Sequence, residues 1–99
     1  MAGFVQLVEF ETSDVEALKN ALAQFRAENP GVVTALTTRI AEDRDRPGTY
    51  IAINEFESYE SAMEQSNHPL TSKFAEVMGQ QMHGRQFRNL DVLYDLPRP

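Results

Sequence analysis

The chain has 99 residues, enough for one domain and one core, since a chain of this size buries roughly 60–70% of its unfolded surface. It carries a formal charge of −6 and no cysteine, which excludes disulfides and thiolate chemistry and argues against nucleic acid, for Arg39, Arg44 and Arg46 sit among Glu42, Asp43 and Asp45. No apolar run approaches the roughly 18 residues of a membrane span, and Met1 to Phe4 lacks the basic and apolar regions of a signal peptide, so a cytoplasmic protein without membrane partners is expected.

Phe4 to Phe10 predicts a strand, with Phe4, Gln6, Val8 and Phe10 on one face and Val5, Leu7 and Glu9 on the other. Ser13 to Glu16 has the spacing of a capping box, with Ser13 as N-cap and Glu16 reaching back. Val15, Leu18, Leu22 and Phe25 then form the apolar stripe of a helix lasting to about Glu28, where Asn29-Pro30-Gly31 stops it. Val32 to Glu42 is rich in β-branched residues and predicts a second strand. A charged turn ending in Pro47-Gly48 leads to a third strand, Thr49 to Phe56, with Tyr50, Ala52, Asn54 and Phe56 on one face.

Ser58 suits an N-cap, and Tyr59, Ala62, Met63 and Ser66 follow at helical spacing. Pro69, which lacks an N–H, belongs in a first turn, so the helix breaks at Asn67-His68 and a new one opens. Leu70, Phe74, Val77, Met78 and Met82 give its stripe, with Gly84 as the residue past its end. Phe87 to Leu96 predicts the last strand, before Pro97-Arg98-Pro99. The order is βαββαβ with a broken second helix. It predicts an α+β, ferredoxin-like domain spanning residues 1–99: a four-stranded antiparallel sheet with helices on one face. The other face also carries apolar residues, and pairing two such sheets in a homodimer would cover it.

Asn54-Glu55-Phe56-Glu57-Ser58-Tyr59-Glu60-Ser61-Ala62-Met63, followed by Ser66-Asn67-His68-Pro69, resembles the antibiotic-biosynthesis-monooxygenase-like family of dimeric α/β barrels. The final Asn89-Leu90-Asp91-Val92 resembles a set of its small bacterial members. The resemblance implies a homodimer with a pocket between sheet and helices in each subunit. Some relatives oxygenate polycyclic phenols or quinols without metal or flavin; others bind and degrade haem. The junction aromatic, often Trp in the family, is Phe56 here, and a helical His of many members falls at Gln65.

His68 is a candidate general base, or a ligand to haem or substrate, and equally a helix-start residue. His83 suits a helix C-terminus. Gln6 and Asn54, polar on apolar strands, would orient a substrate carbonyl or phenol, or else satisfy an interface or strand edge. Tyr50, Tyr59 and Tyr94 could donate to a ligand oxygen or pack. Met63, Met78 and Met82 read as adaptable packing, and Glu55, Glu57, Glu60 and Glu64 as a solvated acidic face. No spaced histidine pair, Gly-rich phosphate loop or nucleophile-elbow serine occurs, so zinc, nucleotide and acyl-transfer chemistry are not expected.

The leading expectation is a cofactor-independent monooxygenase acting on a small aromatic or quinol-like molecule. Its catalytic candidates are His68 and Asn54, its substrate-binding candidates Gln6, Phe56, Tyr59 and Phe74, with no cofactor and no metal. The rivals are a dimeric binding protein without catalysis and a haem protein using His68 or His83. An RNA-recognition domain shares the element order but needs an exposed basic, aromatic sheet that this acidic chain lacks.

Overall fold

The computed structural model describes residues 2–99. Strand β1 (Phe4–Glu11) leads to helix α1 (Val15–Glu28), then to β2 (Thr37–Glu42) and β3 (Thr49–Phe56). Helices α2 (Tyr59–Asn67) and α3 (Pro69–Gly79) follow, and β4 (His83–Asp91) closes the sheet. All pairings are antiparallel and the strand order is β2-β3-β1-β4, the ferredoxin-like arrangement expected.

The register fixes what each face carries. Phe4 stands opposite Phe56, Gln6 opposite Asn54, Val8 opposite Ala52 and Phe10 opposite Tyr50. Side chains alternate along a strand, so all of these share the helix-covered face. The two fully buried phenylalanines, Phe4 and Phe10, each contribute about 1.5–3 kcal/mol by leaving water. The core forms two clusters. One joins Phe4, Ala35, Phe56 and Ala62; the other joins Val8, Phe10, Leu18 and Ala52. The Gln6–Asn54 rung lies between them.

Several boundaries differ from the sequence reading. The first helix is capped by Asp14, whose Oδ1 accepts the Ala17 N–H at 3.0 Å, and not by Ser13. An aspartate caps as well as a serine, and its charge also suits the positive end of the helix dipole. The second strand starts at Thr37, because the backbone N–H groups of Thr34 and Ala35 bond to the Gln65 side chain instead of a strand. The third helix stops at Gly79, so Met82 lies beyond it and Gly84 is no helix cap. Gly84 sits within β4, which runs from His83 to Asp91 and not from Phe87 to Leu96.

Gly84 has a reason to be there. Gln86 faces Glu9 and His83 faces Glu11, so Gly84 and Arg85 together oppose the single Phe10. Such a bulge needs one residue in the left-handed region, and Gly84 has φ 63°. His83 accordingly pairs in the sheet and caps no helix.

The helix-free face carries Val5, Leu7, Ile51 and Ile53, all half-buried, with Leu90 44% exposed beside them. Ion pairs flank this block: Arg39–Glu55 at 2.8 Å, Arg46–Glu9 at 3.2 Å and Arg88–Glu9 at 4.0 Å. Leu93, Tyr94 and Leu96 follow β4, all more than 80% exposed.

The cap assignment is testable. Asp14→Ala should lower stability by about 1 kcal/mol, while Ser13→Ala leaves the urea midpoint unchanged. The reverse order in chemical denaturation would return the cap to Ser13.

Candidate functional site

A cavity of about 200 Å³ lies between the sheet and helices α1 and α3. Val8, Phe10, Ala52, Leu18, Leu22, Phe25, Phe74 and Met78 make most of its wall apolar. The Phe25 and Phe74 rings, one from each helix, meet at 4.6 Å. The polar lining comes chiefly from one rung of the sheet. Thr38 pairs with Asn54, Asn54 with Gln6, and Gln6 with Asn89, so a single row crosses all four strands. The next rung, Ile40–Ala52–Val8–Phe87, is wholly apolar.

Hydrogen bonds order the polar row. An Arg26 guanidinium N–H donates to Thr38 Oγ at 3.2 Å, and Thr38 Oγ donates to Asn54 Oδ1 at 3.0 Å. Arginine can only donate, so the threonine oxygen accepts there and its single proton is directed to Asn54. The Asn54 carbonyl is thereby occupied. Its NH2 group has no hydrogen-bond partner among the described residues, and Asn54 lines the cavity as a donor. Gln6 Nε2 donates to Asn89 Oδ1 at 3.2 Å, which leaves the Gln6 carbonyl as the complementary acceptor. Thr71, in the first turn of α3, adds a buried hydroxyl with no partner among the described residues.

Of the residues singled out in the sequence, Gln6, Asn54, Phe56 and Phe74 line this cavity. His68 and Tyr59 do not. His68 occupies the junction between α2 and α3, where its Nδ1 accepts the Leu70 N–H at 3.1 Å as the N-cap of α3. The cap occupies the Nδ1 lone pair and so favours the tautomer with its proton on Nε2, which leaves the neutral ring no free acceptor nitrogen. Tyr59 packs edge-on against Phe4, centroids 5.5 Å apart, and is 52% exposed. Tyr50 stacks on Phe10 at 5.9 Å; burial and then the nearby Glu42 carboxylate raise its pKa and keep the phenol neutral. His83 borders shallow surface depressions beside Thr12 and Ser13, away from the cavity.

The structure also brings in residues that the sequence reading passed over. Thr38 and Thr71 were hidden by composition, since threonine in a strand or helix start needs no functional reason. Arg85 lay between the expected helix end at Gly84 and the expected strand start at Phe87. Gln65 was marked only as a substituted position; its Oε1 accepts from Thr34 N at 2.8 Å and Ala35 N at 3.0 Å. Among the described residues no group of three His, Cys, Asp or Glu side chains gathers as for a metal, and no helix is long and apolar enough to cross a membrane.

With this geometry in view, comparison with known proteins is informative at one level. No family model and no curated protein sequence matches the chain. Solved structures do. SnoaB, a cofactor-independent oxygenase from Streptomyces nogalater, is 12% identical with a TM-score of 0.76, over 99% of this chain and 100% of that one. A candidate antibiotic biosynthesis monooxygenase from Deinococcus radiodurans is 9% identical with a TM-score of 0.75, over 97% and 98%. Another, from Nitrosomonas europaea, is 15% identical with a TM-score of 0.71, over 95% of each chain. The chain has the antibiotic biosynthesis monooxygenase fold. At such identities the likeness is one of backbone, and the side chains of the cavity have to be read from this protein itself.

His68→Ala should lower stability by about 1 kcal/mol, the usual loss for a cap, and His68→Asn should restore most of it. Thermal melting of the three proteins checks this; an unchanged melt for His68→Ala would release the imidazole for another role.

Proposed function

We propose that this chain is a small homodimeric protein whose cavity takes an aromatic or quinol-like molecule and oxygenates it without a cofactor. One observation carries the reading: the Asn54 amide donor in a largely apolar chamber, held in one orientation by Arg26 and Thr38. A donor that is already oriented stabilises negative charge on a ligand oxygen better than water can, because it need not reorganise. The favoured ligand is a phenol or ring ketone that becomes an enolate.

An enolate of this kind can pass an electron to O₂ directly. In a ring CH₂ converted to a ring carbonyl, one oxygen atom enters the product and the other leaves as water with the two hydrogens. The substrate supplies all the electrons. Asn54 holds the enolate oxygen, Gln6 orients a second polar group, and Phe56 and Phe74 form the walls. The apolar lining keeps water from the reactive oxygen species. The general size is suitable: an engineered apolar cavity of about 150 Å³ accepts benzene.

The proton must still leave, and among the described residues Arg85 is the only ionisable one lining the cavity. That observation favours a second reading, a dimeric binding protein without turnover. With His68 as cap, the proposed oxygenase relies on substrates acidic enough to ionise in solvent. The haem reading has less to support it, since His68 and His83 are both outside the lining.

The dimer is proposed through the helix-free sheet face. Val5, Leu7, Ile51, Ile53 and Leu90 form an apolar block there that is partly open to water, and a second copy of the same face would cover it. Sedimentation should give twice the 11.2 kDa chain mass, and Ile53→Asp at the centre of the block should return it to one. A wild-type monomer at micromolar concentration would overturn this assembly.

Activity is tested with anthrone, whose ring CH₂ is acidic and whose oxidation to anthraquinone is read by oxygen uptake. Turnover should fall about 10²-fold in Asn54→Leu, the usual loss for one removed donor. Binding of anthrone without oxygen uptake would select the binding protein over the oxygenase.

A further inference from the structure

The cavity's one charged lining residue has been given no task by the reading above. Arg85 faces the helix side on β4, and among the described residues it has no carboxylate partner. The sheet arginines Arg39 and Arg88 meet Glu55 and Glu9, Arg46 in the β2–β3 turn meets Glu9 and Asp43, and Arg26 of α1 bonds to Thr38. Arg85 is an exposed residue that also lines the cavity, so its guanidinium can meet an acid that enters from solvent.

Two further features hold it there. The bulge at Gly84-Arg85 sets two residues against Phe10, and bulges re-aim side chains at sites of this kind. Gly79, the last residue of α3, leaves the room the guanidinium occupies: a Cβ at Gly79 would lie 2.9 Å from one Arg85 terminal nitrogen and 3.2 Å from Cζ. A side chain at Gly79 would therefore displace the arginine tip from this position.

The polar groups are at opposite ends. Asn54 and Gln6 share one rung, while Arg85 stands opposite Phe10, four residues along β1 from Gln6, roughly 13 Å of strand. Between them the wall is Val8, Ala52, Leu22 and Met78. We propose that the ligand is a hydroxylated aromatic acid, its hydroxyl at Asn54 and its carboxylate on Arg85. A guanidinium matches a carboxylate through two parallel N–H···O bonds, and the apolar rungs between the two ends match a fused ring. This rests on the cavity being a small-molecule site, as proposed above, and adds the acid group and its receptor.

The test uses 6-hydroxy-2-naphthoate and its neutral amide, 6-hydroxy-2-naphthamide, titrated by naphthalene fluorescence at fixed ionic strength. The carboxylate should bind wild type at least about tenfold more tightly than the amide, as a charged hydrogen-bonded pair requires. Arg85→Gln should bring the two affinities within about twofold of each other. Gly79→Ala, which leaves Arg85 in place but crowds it, should weaken the carboxylate and spare the amide. Equal binding of acid and amide to wild type would overturn the acid assignment and leave the cavity reading intact. Binding of neither would overturn both. A carboxylate preference that survives in well-folded Arg85→Gln, judged by melting, would remove Arg85 as its source. If that variant does not fold, the wild-type ratio and Gly79→Ala decide the matter.

Discussion

The antiparallel register of β1 against β3 is the constraint from which the site follows. With Phe4 opposite Phe56, every even residue from 4 to 10 faces the helices together with its partner. A slip of one residue would send Gln6 and Asn54 to the outer face and bring Val5, Leu7 and Glu9 inward. The aromatic ends at Phe4–Phe56 and Phe10–Tyr50 resist such a slip, because both clusters would lose their largest buried rings. The polar rung is held in the middle by the apolar rungs on either side.

That rung has a cost and a use. Amides in a core need partners, and burying one without a hydrogen bond costs about 1–3 kcal/mol. Here the partners are supplied on one side only. Arg26 and Thr38 satisfy the Asn54 carbonyl, and Asn89 satisfies the Gln6 amide nitrogen. The unsatisfied atoms remain toward the cavity, open to a ligand. A core built for stability alone would place valine or leucine on this rung, as the neighbouring Ile40–Ala52–Val8–Phe87 rung does.

Much of this was legible in the sequence. The alternation of Phe4 to Phe10 and Tyr50 to Phe56 gave the faces, and the two odd polar residues in it, Gln6 and Asn54, are the ones that meet across the sheet. The helix break at His68-Pro69 was legible from proline chemistry. The errors have local causes. Asp14 and Ser13 are both good caps, and spacing alone cannot choose between neighbours. Val32 to Leu36 has strand composition but a side chain, Gln65, supplies the bonds a strand neighbour would. The early start of β4 depends on pairing with β1 across a bulge, a long-range event to which His83-Gly84-Arg85 gives no periodic signal. Arg85 was missed with it.

Gln65 also couples two parts that the fold could have left independent. Its carbonyl bridges the Thr34 and Ala35 amides, and the Thr34 hydroxyl donates to the Ser61 carbonyl at 2.6 Å. Thr34 and Ala35 are therefore tied to α2, while the next residue, Leu36, already bonds through its N–H to the Glu55 carbonyl of β3 at 2.7 Å. Opening of α2 would release Thr34 and Ala35 with it, so they and the helix form a single local-unfolding unit distinct from the strands. Since Gln65 also lines the cavity, the chamber has a rigid floor of paired strands and a side that can loosen as one piece. A ligand that touched Gln65 would slow amide-proton exchange at Thr34 and Ala35, residues it never contacts.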